Sequence, residues 1–381
     1  MPHTSTDLVN VKALLLTIAS SIVTLIALEG LLRISLDHEQ LFSASRTQHE
    51  QKSWQNAVQF WQKHQEEPPN ETNFDPVLGW DIERHGNRIR GSATIQISAP
   101  ANVRRVVSVG DSFTFGLDVE EPENFTSILN ECDAIQALNM GVPGYGIDQS
   151  FLKYREHGAK YQPDAVLFGI YVGDYERTRL SFNFGPKPVF QTFDGQLRLA
   201  NSPVPRPSEE VARISQALNG RSFLKEIVVS SVNRIAQSDS DRLDYFNQTD
   251  DIIRALLERL QSDLSPNQQL VIIHIPHADA FSERNEFRDE ASQRLRKIYE
   301  QLEINVIDLA TEFRDPKSSK TAAQAYYHDR GNGSFGHLNP TGHERVAHLV
   351  LEALNAECHK TEGRNKVTDV TIAIKHSWRP T

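Results

Sequence analysis

The residues that could do chemistry together are Ser112, His337 and the carboxylates around them. Ser112 stands in RRVVSVGDSFTFG, residues 104–116. Val106, Val107 and Val109 form a β-branched run that reads as a buried strand. Gly110 breaks the run, Asp111 and Ser112 lie where a strand passes into a helix, and Gly116 closes the turn. A serine at such a corner is exposed at the C-terminal edge of a sheet. Its own N–H is unpaired, because the first donors of a helix have no partner within it. That arrangement suits a nucleophile whose intermediate carries an oxyanion. Alone, the same residues also fit a Gly-Asp-Ser turn that does no more than cap a helix.

A serine needs a base to attack an ester at neutral pH. His337 lies in GSFGHLNPTGH, just before the last helical stretch, where Asn339-Pro340 and Gly342 mark a turn. The chain has 14 histidines, so its type alone singles out none of them; its place at the end of the last strand-to-helix unit does. The oxyanion needs donors aimed at it. NMGVPGYG, residues 139–146, offers a Gly/Pro-rich loop after a second apolar run, with Gly144 able to let a substrate reach the backbone. YVGDY, residues 171–175, puts another glycine at a strand end.

The elements that must hold these residues alternate. Strands are expected at 103–110, 134–140, 164–172, 269–276 and 304–310, and helices at 123–131, 146–160, 208–235, 249–263, 284–302 and 341–356. DAVLFGIYV is the near-continuous apolar run of a strand covered on both faces. Such alternation implies a parallel sheet between helices, with ligands beyond the C-terminal strand ends. Residues 181–235 interrupt the pattern with an expected hairpin, turning at Asp194-Gly195, and further helix.

Outside this domain, residues 13–28 are uncharged and mostly apolar, and the pattern continues to Leu36 past Glu29 and Arg33. Sixteen residues span about 24 Å of helix, and the extension reaches bilayer length. We read 9–36 as a single-pass anchor, within a segment 1–40, with the bulk of the chain outside the cytoplasm. A cleaved signal peptide and a buried helix are the competing readings. Residues 41–100 read as a stalk and linker, with an amphipathic helix at 46–67 carrying Trp54, Val58 and Trp61, then an extended segment containing FDPVLGW. Residues 101–360 form the main domain and 361–381 a polar tail. A net charge of −10 without any Lys/Arg block argues against nucleic acid as a partner. Cys132 and Cys358 have no metal-ligand spacing; they could be one disulfide in an oxidising compartment or two buried thiols, and thiols are the expectation.

Over roughly 101–357 the chain resembles the SGNH (GDSL-type) hydrolases. GDSFTFG resembles their first block and makes Ser112 the nucleophile. GVPGYG resembles the second, with Gly144 as an oxyanion donor, and HLNPTGH the last, with His337 as the base. The apolar N-terminal run, FDPVLGW and the hairpin before PVPRP resemble membrane-anchored bacterial members. The resemblance implies a flavodoxin-like three-layer αβα sandwich with a parallel sheet. It also implies a serine esterase that needs no metal or organic cofactor and acts on an O-acylated glycan or a small ester. Acyl transfer to an envelope glycan, and a degenerate domain that binds glycan or a partner without turnover, are the alternatives.

Two departures from the family pattern matter. The third block is usually Gly-Asn-Asp, the Asn amide donating to the oxyanion; here it is Gly173-Asp174-Tyr175, so Asp174 takes the Asn place beside Ser112 and Gly144. An ionised carboxylate has no donor, so Asp174 must be protonated by burial, turned away, or replaced by a neighbour. The acid usually stands three residues before the histidine, where this chain has Ser334. The expected acid is Asp329, eight residues before His337, folding back across Gly331, Asn332 and Gly333. Otherwise a backbone carbonyl orients the ring, and Asp308 is the less favoured orienter.

Overall fold

The computed structural model describes residues 5–35, 48–82, 97, 100–193, 196–220, 222–236, 239–281, 285–314, 321–331, 334–356 and 358. The tail at 361–381, the Asp194-Gly195 turn and most of the stretch from 83 to 99 lie outside the described residues, as does the junction between anchor and stalk at 36–47.

The five expected core strands are present: β1 (Arg104–Val109), β2 (Ile135–Asn139), β3 (Ala165–Tyr171), β4 (Gln269–Ile275) and β5 (Asn305–Asp308). They form one sheet in the order β2-β1-β3-β4-β5, and every pairing is parallel. This is the flavodoxin-like order, in which ligands bind at the switch between β1 and β3. β3 is buried at all seven positions, which requires helices on both faces of the sheet. Helix Phe125–Leu129 packs on Pro340–Ala353, and Asp239–Asp263 packs on Ile147–Lys153 and on Glu286–Gln301. The core is Val/Ile/Leu/Phe from the strands and the inner faces of these helices.

The interruption after β3 contains the expected hairpin, Val189–Phe193 against Gln196–Ala200. Its helical part is two helices, Pro207–Asn219 and Phe223–Ala236. Helix Gln48–Lys63, read from sequence as a stalk, lies on this insertion. Trp54 and Val58 are buried with Phe182, Ile214, Leu218 and Phe223 in a second, smaller core. Its apolar stripe needed a partner, and the insertion supplies one.

The N-terminal helix runs Ser5–Ser35, and Leu14–Ser35, with a mean hydropathy of 2.1, is long and apolar enough to cross a membrane. Arg33 Nε donates to Glu29 Oε1 at 2.9 Å. Glu29 also accepts from Ser222 Oγ and from the N–H groups of Phe223 and Leu224, each at 2.9 Å, and so caps helix Phe223–Ala236.

The thiol expectation is corrected: Cys132 and Cys358 form a disulfide, their Cα atoms 5.0 Å apart. Cys132 follows helix Phe125–Leu129 and Cys358 follows helix Pro340–Ala353. These helices pack together, which brings cysteines 226 residues apart into reach.

Candidate active site

Directly after β1 comes Gly110, where a Cβ would meet Thr114 Oγ1 at 2.2 Å and Gly169 O at 2.7 Å, so only glycine lets the chain turn there. Asp111 caps the short helix Ser112–Phe115, its Oδ1 accepting from Phe113 N at 2.9 Å. Gly116 ends the helix in the left-handed region, φ 74°, donating to Ser112 O. Two asparagines hold the corner from below. Asn139, at the end of β2, donates to Thr114 O at 2.9 Å, and Asn124 donates to Phe115 O at 3.2 Å.

His337 reaches the serine from a two-stranded antiparallel hairpin, Tyr327–Gly331 with Ser334–Leu338, rather than from a plain loop. Asn339 anchors the hairpin's exit by donating to Ala325 O and Tyr327 O and capping the last helix through Gly342 N. Tyr327 ties the other arm to Pro276 O at 2.8 Å. The His337 ring stands edge-on to Phe113, with centroids 4.8 Å apart. Its Nε2 is 2.9 Å from Ser112 Oγ and its Nδ1 is 2.8 Å from Asp118 Oδ2. With Nδ1–H donating to the carboxylate, Nε2 is left to accept the serine proton.

Asp118, not Asp329, therefore stands on the histidine. Asp329 is exposed on the hairpin and accepts from Gly331 N at 2.7 Å. Neighbours along a strand point to opposite sides, and it is Arg330 that faces the site, donating to Asp118 Oδ2 at 2.9 Å. Gly336 makes this approach possible, since a Cβ there would meet Arg330 Nε at 2.5 Å and Asp118 Oδ2 at 3.0 Å. Asp308 is engaged by Arg296 instead, at 2.6 Å. Partial burial works to raise the Asp118 pKa, but the hydrogen bonds from His337 and Arg330 outweigh it and pull the carboxyl down to about 2. The local signal for Asp118 is Gly116, whose left-handed turn brings the chain back past the serine within two residues.

Ser112 and Gly144 are the two backbone donors expected at the oxyanion, and neither N–H meets an acceptor among the described residues. Gly144 sits at φ +82°, and a Cβ on it would run into the Phe184 ring at 2.1 Å. Asp174 is almost fully buried, and its two oxygens are taken up, one by Tyr171 N–H at 3.1 Å and the other by Arg177 at 2.8 Å. The same Arg177 nitrogen donates to Asp111 Oδ2 at 2.8 Å, so one guanidinium bridges both buried carboxylates. Burial and the nearby Asp111 push the Asp174 pKa well up, against the pull of Arg177. Arg177, three residues along the same helical turn, is the partner that reading the block alone did not supply. No group of three or more His, Cys, Asp or Glu placed to hold a metal occurs among the described residues.

No protein-family model matches the chain, and no curated protein matches it. Among solved structures, a member of the lipolytic protein G-D-S-L family from Veillonella parvula is 13% identical, with TM-score 0.38 over 66% of this chain and 99% of that one. An acetylxylan esterase from Geobacillus stearothermophilus is 13% identical, with TM-score 0.39 over 67% of this chain and 95% of that one. An α/β hydrolase from the metagenome of Lake Arreo is 14% identical, with TM-score 0.38 over 66% and 95%.

Proposed function

We propose that this chain is a membrane-anchored serine esterase of the SGNH type, working through an acyl-enzyme on Ser112. The observation that carries the proposal is the continuous path Ser112 Oγ, His337, Asp118, with spacings of 2.9 and 2.8 Å. In this reading Ser112 Oγ attacks the acyl carbon while His337 Nε2 takes its proton. The imidazolium is stabilised by Asp118, and the N–H groups of Ser112 and Gly144 hold the oxyanion. His337 then passes the proton to the departing alcohol. A water activated by the same ring releases the acyl group and restores the serine. Every bond made and broken is accounted for by the ester and water.

The substrate class is an O-acylated glycan or a small ester. The Cys132–Cys358 disulfide supports a catalytic domain outside the cytoplasm, because such bonds persist in oxidising compartments. The apolar helix Leu14–Ser35 supports the anchor. The domain division proposed is an anchor over 1–40, a linker over 41–100 whose helix rests on the insertion 181–235, a catalytic domain over 101–360, and a tail. Asp174 has no donor role here; both its oxygens accept, one from Tyr171 N–H and the other from Arg177. The test is hydrolysis of a short-chain acyl ester by the purified chain and by Ser112→Ala. Loss in the variant is expected, and equal rates would sink the proposal.

A further inference from the structure

FDPVLGW, residues 74–80, has no part in the relay above, yet it is held at many points. Phe74 and Asp75 pair with Trp80 and Gly79 in a minimal antiparallel turn. Asp75 Oδ1 accepts from Val77 N and Leu78 N, at 2.8 and 2.9 Å. Gln149 donates to Leu78 O at 2.7 Å, and Val204 N donates to Pro76 O at 2.7 Å. Gly79 sits at φ +88°, where a Cβ would meet Pro186 O at 2.6 Å. Immediately after Trp80, Asp81 is buried against Lys153 Nζ, at 2.7 Å. All of this fixes one indole. Trp80 Nε1 donates to Pro143 O at 3.1 Å, and Trp80 O accepts from Tyr145 OH at 2.5 Å, the two rings packing edge-on.

Pro143 O belongs to the same peptide unit as Gly144 N–H. That peptide is trans, so its C=O and N–H point in opposite directions and cannot turn independently. Pinning the carbonyl from one side aims the N–H to the other, and a hydrogen bond on the carbonyl also polarises the N–H. Asn183 Nδ2 holds the next carbonyl, Gly144 O, at 2.8 Å. Glycine has no Cβ to restrict its backbone angles, so the aim of the Gly144 N–H depends on these side chains.

We infer that Trp80 is a positioning residue for the oxyanion: a segment N-terminal to the catalytic domain sets the direction of the Gly144 N–H through the Pro143 carbonyl. The inference rests on the esterase reading above. Its test is steady-state hydrolysis of p-nitrophenyl acetate by the full chain in detergent, comparing wild type, Trp80→Phe and Ser112→Ala. Inhibition by phenylboronic acid, whose serine adduct places an oxygen in the hole, is measured in parallel. Trp80→Phe is expected to lower kcat by roughly a hundredfold, the scale of an ångström-sized misplacement. KM stays near its wild-type value, and boronate affinity falls with kcat. If the phenylalanine variant does not fold, benzothienylalanine at position 80 keeps the ring shape, removes only the N–H, and must give the same loss. Unchanged kcat in the folded variant overturns the inference, as does a rise in KM alone, which would make Trp80 a substrate contact. Wild-type rates in Ser112→Ala would instead overturn the esterase reading. Loss there with full kcat in Trp80→Phe removes only the role of Trp80.

Discussion

Replacing Asp118 by Asn tests the assignment of the acid. The substitution keeps size and a possible acceptor but removes the charge that faces His337 when the ring becomes imidazolium. Both groups are partly shielded, with Asp118 29% and His337 17% exposed, so an effective dielectric near 20 is appropriate. Charge centres about 4 Å apart then interact by about 4 kcal/mol, roughly a thousandfold in rate. Arg330, which shares Asp118 Oδ2, loses its partner in the same variant. The assay is kcat/KM for a short-chain ester at neutral pH, with Asp329→Asn as the comparison. Asp118→Asn should fall by about a thousandfold on this reckoning, and Asp329→Asn should keep wild-type activity. A smaller than tenfold loss in Asp118→Asn, or an equal loss in both, would refute the assignment. Stability gives a second readout. The Asp118 pKa of about 2 lies below its ordinary 3.8, so the stabilisation it brings is complete above about pH 4 and is lost as pH falls through 2. The difference in melting temperature between wild type and Asp118→Asn should close over that window.

Other outcomes follow from the surrounding structure. Reducing Cys132–Cys358, or replacing both by Ser, should cost about 2–5 kcal/mol in denaturant unfolding, because the bond closes a very long loop. Asp174 behaves oppositely to Asp118: its raised pKa gives stability that is full below its unfolded value and lost as pH rises through the folded one. The melting temperature of wild type should therefore fall more than that of Asp174→Asn as pH is raised from about 4 to neutral. The same pH dependence in both would count against the buried-carboxylate reading. Glu29→Ala removes the cap that the N-terminal helix gives to Phe223–Ala236, and should destabilise the insertion by about 1 kcal/mol, read by hydrogen exchange at residues 222–229.

Ser112, Gly144 and His337 are legible because each is announced by local chemistry. A β-branched run broken by glycine makes a corner, a Gly/Pro loop follows the next strand, and an Asn-Pro turn opens the last helix. The parallel sheet between helices follows from the alternation of elements, while its flavodoxin-like arrangement is what the resemblance implies. Asp118 is not legible in that way. Its partnership with His337 joins residues 219 apart and depends on the path the chain takes after a left-handed Gly116. Position 174 shows the same limit. The sequence displays a carboxylate where a donor was expected, but the answering charge, Arg177, is shared with Asp111 on another strand end, and only the folded sheet edge brings the three together. The disulfide likewise follows from helix packing that no spacing encodes.

The most direct measurement is to quench the reaction with p-nitrophenyl acetate early in turnover and map the acetyl group by peptide mass spectrometry. One acetyl on the peptide carrying Ser112, absent in Ser112→Ala and persisting longer in Asp118→Asn, is the expected result. Turnover with no acetyl on Ser112, or with the label on another residue, would contradict the serine relay.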